Sequence, residues 1–231
     1  MGSSLFYGRE DPRDLPFYST YEAAHYLQLP STTLRSWVVG RYYDVKEGRK
    51  YFEPLIRLAD ADEGRMSFNN LVEAHVLKAL RRKHRVEIQA IRMAIDYAED
   101  QLGITRLLIR DELRTHAGDL FLDKFGELIN LSKAGQLAMR GILESYLTRI
   151  ERDALKLPRR LYPFIHPDRP ERTIVIDPLV SFGRPILVGK GITTAVLAQR
   201  VNAGESDQEL VEDYDLNEGQ LMDALIYEAV A

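Results

Sequence analysis

The sequence predicts a mainly α chain with small β-hairpins: a helix-turn-helix at the front, and a β-hairpin followed by three helices at the rear. Three observations carry this reading. A capped pair of short helices lies near the N-terminus, apolar stripes at helical spacing run through the middle, and two more capping pairs lie near the C-terminus. The 231 residues are 45% hydrophobic and 29% charged, the balance of a globular chain and not of a disordered or fibrous one. No apolar run approaches the roughly 20 residues that a spanning helix needs, so no membrane partner is expected. The first residues show neither a basic n-region nor an apolar h-region, and a cytoplasmic location is expected. Cysteine is absent, which excludes disulfides, thiol catalysis and Cys-ligated zinc together.

Taken in order, the first element begins at Tyr18. Ser19 and Glu22 form a capping box, in which each side chain satisfies the other residue's orphan backbone donor. A short helix then runs from Glu22 to Gln28 and is interrupted at Leu29-Pro30. Ser31 is placed to cap a second short helix, Thr32 to Val39, which Gly40 ends. This is the helix-turn-helix pattern. Residues 51–67 set β-formers on either side of a polar DADEG tip, and a wing hairpin is expected there. Ser67 then caps a long helix striped by Phe68, Leu71, Val72, His75, Val76, Ala79 and Leu80. A second helix, Glu87 to Leu102, stops at Gly103.

Residues 104–131 read as short strands, with a hairpin around Phe125-Gly126. Ala134 to Leu155 reads as a long helix whose stripe (Met139, Leu143, Tyr146, Leu147, Ile150, Ala154) suits either a homodimer contact or packing within the chain. Residues 157–172 hold four of the ten prolines and read as an extended linker. Beyond it, two short strands precede helices at about 193–202, 206–213 and 217–229. Ser206/Glu209 and Asn217/Gln220 cap the last two. The expected organisation is therefore a DNA-binding domain at 16–103, a small β region with a dimerisation helix at 104–156, a linker at 157–172 and a three-helix domain at 173–231.

Charge separates front from rear. Residues 35–92 carry 13 basic and 8 acidic side chains, a net +5. Residues 173–231 carry only Arg184, Lys190 and Arg200 against ten acids, a net −7. Such asymmetry suggests two different partners. The five histidines form no pair at metal-ligand spacing, and His75 lies on an apolar stripe as a core residue would. No phosphate-binding glycine loop and no nucleophile-base grouping is found. An enzyme is not expected, nor a metal, nor a cofactor. The front helix pair offers the clearest chemistry: Ser31, Thr32, Thr33 and Ser36 can reach base edges or phosphates, with Arg35, Arg41 and Lys50 holding the backbone and Trp37 either clamping it beside them or packing in the core.

The segment YSTYEAAHYLQLPSTTLRSWVVG resembles the start of MerR-type winged-helix regulators, although Gln28 stands where such turns carry Gly. The rear segment, from Ile174-Val175-Ile176-Asp177-Pro178 through Gly183-Arg184-Pro185, Gly204-Glu205-Ser206 and Tyr214-Asp215-Leu216, resembles the domain of unknown function 433. Together they resemble the long VapB-type antitoxins. That resemblance implies operator DNA as one partner and a PIN-like ribonuclease toxin as the other, with autoregulation and a homodimer. Arg184, Met222, Ile226, Tyr227 and Glu228 are then the candidate toxin contacts, with pairing of Arg184 to Asp177 or Asp213 as its alternative. A different class of reading, a one-component MerR-like regulator with a ligand-sensing C-terminal region, is weighed beside it.

Overall fold

The computed structural model describes residues 5–6, 9–45, 48–81 and 88–229. Along the chain, β1 (Leu5–Phe6) pairs with β2 (Arg9–Glu10), and β3 (Tyr18–Ser19) leads into α1 (Thr20–Tyr26) and α2 (Ser31–Val38). A hairpin of β4 (Arg41–Val45) and β5 (Gly48–Phe52) follows, then β6 (Arg65–Met66), α3 (Phe68–Arg81) and α4 (Ile88–Leu102). Two 3-10 turns, Leu107–Ile109 and Asp111–Arg114, precede α5 (His116–Leu128) and α6 (Lys133–Leu147). The rest comprises β7 (Ile150–Arg152), β8 (Pro158–Leu161), β9 (Ile174–Val175), β10 (Ile186–Leu187), α7 (Thr194–Asn202), α8 (Asp207–Tyr214) and α9 (Glu218–Ala229). The chain is mainly helical, with small antiparallel strand pairs, as its sequence predicts.

The division into units differs from the expected one. One compact unit comprises residues 1–35, 58–68 and 160–231, and the other residues 36–57 and 69–159. In the first, β3 pairs antiparallel with β6 and β9 with β10. Phe164, Ile174, Leu187, Leu197, Leu210, Leu216, Leu221, Ala224 and Tyr227 form its core. The front helix α1 and the rear module therefore share one unit. Tyr18 Oη donates to the Gly183 carbonyl (3.2 Å), Tyr227 Oη donates to the Tyr26 carbonyl (2.6 Å), and His25 Nε2 meets Glu228 Oε2 at 2.9 Å. Gly183 is required here, because a Cβ at that position would lie 2.0 Å from Tyr18 Oη. The proline-rich segment expected as a surface linker is instead structured. Leu161, Tyr162 and Phe164 are buried, and Leu161 and Ile176 exchange backbone hydrogen bonds of 3.0 and 2.8 Å. Its apolar residues outweigh its prolines.

In the second unit, β4 and β5 pair from Arg41↔Phe52 to Val45↔Gly48. This hairpin lies earlier than the wing expected at 51–67. The acidic DADEG tip is only a tight turn closed by reciprocal Asp60 and Arg65 backbone bonds. Gly40, at φ +77, makes the sharp exit from α2, and a Cβ there would lie 2.2 Å from the Phe52 carbonyl oxygen. Residues 104–131 are helical, not stranded. Phe121, Leu122 and Phe125 are buried at i, i+1, i+4 spacing, and Gly126 sits inside α5 against the Gln136 side chain. The Met139, Leu143, Tyr146 and Leu147 stripe of α6 is buried within the chain, so it is not an open dimer face. His75 is a core residue, as expected. Its Nε2 meets the Tyr146 carbonyl at 3.2 Å, and burial lowers its pKa to about 3, so the ring is neutral.

Candidate nucleic-acid interface and rear surface

Helix α2 begins on the Pro30 carbonyl, which accepts from Thr33 N (2.9 Å) and Leu34 N (3.2 Å). Ser31 is thus the first helical residue, not the cap. The tight turn before it is made by Gln28 in the left-handed region at φ 50, the conformation that glycine adopts most readily. Leu34, Trp37 and Val38 bury one face of α2, while Ser31, Thr32 and Arg35 are exposed on the other and Thr33 and Ser36 are half-buried. The exposed face carries two hydroxyls and a guanidinium, the donors that phosphate oxygens accept. Trp37 does not belong to that face. It is 1% exposed, its carbonyl accepts from Leu55 N and Ile56 N, and the Arg81 guanidinium stands 5.8 Å over its ring. The expected DNA contact by Trp37 is therefore corrected to packing, because a ring this apolar gains more from burial than from a wet groove.

On the hairpin, Arg41 is exposed, whereas the Lys50 side chain lies outside the described residues and only its backbone register, opposite Tyr43, is defined. Sequence reasoning missed three neighbours. Tyr42 and Tyr51 expose their rings, 5.0 Å apart, and the Arg49 guanidinium sits 5.7 Å over Tyr42. Burial lowers the Arg81 pKa, and the charge of Arg41 lowers it further, so two guanidiniums repel each other and the locality is electropositive. The alternation in RYYDV and GRKYF was the available signal for this hairpin.

The rear module has the opposite character. On α8, Asp207, Glu209, Glu212 and Asp213 are exposed. Hydrogen bonds that Arg200 donates to Glu205, then to Asp213, hold its guanidinium charged, and Lys190 is tied to Asp215 at 2.7 Å. The acids expected to pair with Arg184 are taken: Asp177 by Arg160 (2.8 Å) and Asp213 by Arg200 (2.7 Å). Arg184 itself is exposed. Two expected partner contacts are corrected. Tyr227 is fully buried, which pushes its hydroxyl pKa well up, and Glu228 is occupied by His25 and the Thr194 hydroxyl. Both sit on the α9 face that docks within the unit. Met222 is 49% exposed, and Ile226 packs partly against the core.

Residues 16–95 match the family described as "Putative DNA-binding HTH domain", and residues 174–227 match "Protein of unknown function (DUF433)". The curated "Putative antitoxin VapB45" of Mycobacterium tuberculosis is 30% identical over 232 residues, spanning 92% of this chain and 93% of that protein. The chain belongs to the long VapB-type antitoxins. "Uncharacterized protein Rv2308" of the same organism is 27% identical over 222 residues, covering 93% of this chain and 90% of that one. The X-ray crystal structure of Rv2018 from Mycobacterium tuberculosis matches with a TM-score of 0.66 at 26% identity, covering 91% of this chain and 97% of that chain. Both ends of this VapB-type chain are thus matched by families of their own. The front domain is of the helix-turn-helix DNA-binding type.

Proposed function

We propose that this VapB-type chain is an autoregulatory antitoxin that binds operator DNA through its front and neutralises a PIN-like ribonuclease through its rear. The observation that carries the DNA half is the two-sided α2, with Leu34 and Trp37 buried and Ser31, Thr32 and Arg35 exposed. In this reading α2 lies in the major groove, Thr33 and Ser36 border it, and β4–β5 is the wing of a MerR-like module. Arg41, Arg49 and Lys50 then meet phosphates. A two-fold operator implies a homodimer, formed through a surface other than the buried α6 stripe. The toxin half is supported by the acidic surface of residues 173–231, which repels a duplex but complements the basic face a ribonuclease shows its RNA.

The test uses the full chain, the duplex upstream of its own gene, and the nuclease encoded at the same locus. Expected are retention of that duplex over an unrelated one, a log–log salt slope of about −0.9 per phosphate contact, and loss of RNA cleavage when chain and nuclease are mixed. Equal binding to any duplex would contradict the DNA half. Undiminished cleavage would contradict the toxin half.

A further inference from the structure

The Leu179–Arg184 turn is an exposed apolar knob on a rigid base. Phe182 is 79% exposed and Leu179 72%, the two most exposed of the large apolar side chains among the described residues apart from Tyr21. Single exposed apolar residues need no explanation, but these two are three positions apart on one short turn. The backbone beneath them is strained. Ser181 (φ 49), Phe182 (φ 54) and Gly183 (φ 69) lie consecutively in the left-handed region, although a non-glycine residue there costs roughly 1–2 kcal/mol. Such strain persists only where surroundings over-determine it, and it concentrates at functional sites. Here they do. Asp177 Oδ1 accepts from Leu179 N (2.9 Å), Val180 and Ser181 carbonyls accept from Gly183 N (2.9 Å) and Arg184 N (3.1 Å), and Tyr18 Oη clamps the Gly183 carbonyl.

The charge beside the knob says what covers it. Of the three basic side chains in residues 173–231, Lys190 and Arg200 are held by Asp215, Glu205 and Asp213, whereas Arg184 makes no ion pair among the described residues. A second copy would bring the exposed acids of this module, Asp207, Glu209, Glu212 and Glu218 among them, against their own copies, and a duplex would meet the same repulsion. We infer that the Leu179–Arg184 turn anchors the nuclease: Leu179 and Phe182 fill an apolar pocket on it, and Arg184 pairs with a carboxylate at that pocket's rim. This rests on the toxin half of the function proposed above and moves its contact away from α9. Buried aromatic anchors beside an arginine carry most of the energy at such interfaces.

The decisive variant is Phe182→Gly in the full chain, because glycine removes the ring and relieves the left-handed strain together. Expected are an unchanged or higher unfolding temperature, unchanged operator binding and light scattering, and affinity for the nuclease of the same locus weakened at least about 30-fold. Arg184→Glu is expected to weaken it as well, and Met222→Ser on α9 to leave it unchanged. Wild-type affinity in Phe182→Gly, or loss of operator binding or self-association in place of nuclease binding, would overturn the inference. Absence of nuclease binding by the wild-type chain would instead remove the toxin reading on which it rests.

Discussion

Two helix pairs, α1–α2 and α8–α9, are built alike and clothed differently. Each opens on a capping box or its equivalent: Ser19/Glu22 before α1, Ser206/Glu209 before α8, and Asn217 with Gln220 before α9. Each turns on a non-glycine residue in the left-handed region, Gln28 at φ 50 and Asp215 at φ 49. The exposed residues of α2 are hydroxyls and an arginine, whereas those of α8 are the acids Asp207, Glu209, Glu212 and Asp213 with one neutral residue, Gln208. Backbone geometry therefore does not assign a partner. Surface charge separates the two pairs, and the same supersecondary device carries opposite signs of charge.

The largest expected effect tests whether α9 is scaffold or contact. Tyr227→Ala should destabilise the fold by about 3–5 kcal/mol, as loss of a fully buried aromatic does, measured by chemical denaturation. A stable variant with only its partner binding lost would return Tyr227 to the contact surface. Next, acid should loosen the second unit. The His75 pKa is depressed to about 3 in the fold against 6.5 unfolded, so the unfolded chain binds more protons between these values. Stability is then full above about pH 6.5 and falls as pH drops, by about 2 kcal/mol at pH 5. His75→Phe should flatten that fall. A wild-type profile flat from pH 7 to 5 would contradict a neutral buried ring.

The smallest effect compares the two turns. Gln28→Gly should stabilise by up to about 1 kcal/mol, since glycine carries no left-handed penalty. Asp215→Gly should gain less, because aspartate tolerates that region and its carboxylate is held by Lys190. Equal gains at both positions would show that the turns do not differ.

Capping pairs and helical stripes made α1, α3, α4, α8 and α9 legible, because those signals are local. The failures were of two kinds. In residues 104–131, Phe121, Leu122 and Phe125 around a glycine suggest a hairpin, but their spacing also fits one helix face, and Gly126 serves the approach of α6. At 157–172, prolines suggested a linker, while the partners that bury Leu161 and Phe164 lie far along the chain. Long-range packing has no local signature. The candidate site divides the same way. Arg35 and Thr32 were readable from helix periodicity, whereas the burial of Trp37 and Tyr227 depended on Leu55, Ile56 and Tyr26, which no spacing rule connects to them.

The contrast between the helix pairs is tested most directly by one titration. Operator binding by the full chain is followed by fluorescence anisotropy against salt concentration, for Arg35→Ala on α2 and Glu212→Gln on α8 beside the wild type. Expected are weaker binding and a slope shallower by about 0.9 for Arg35→Ala, the loss of one phosphate contact, with Glu212→Gln unchanged. A wild-type slope in Arg35→Ala, or a weakened Glu212→Gln, would contradict that contrast.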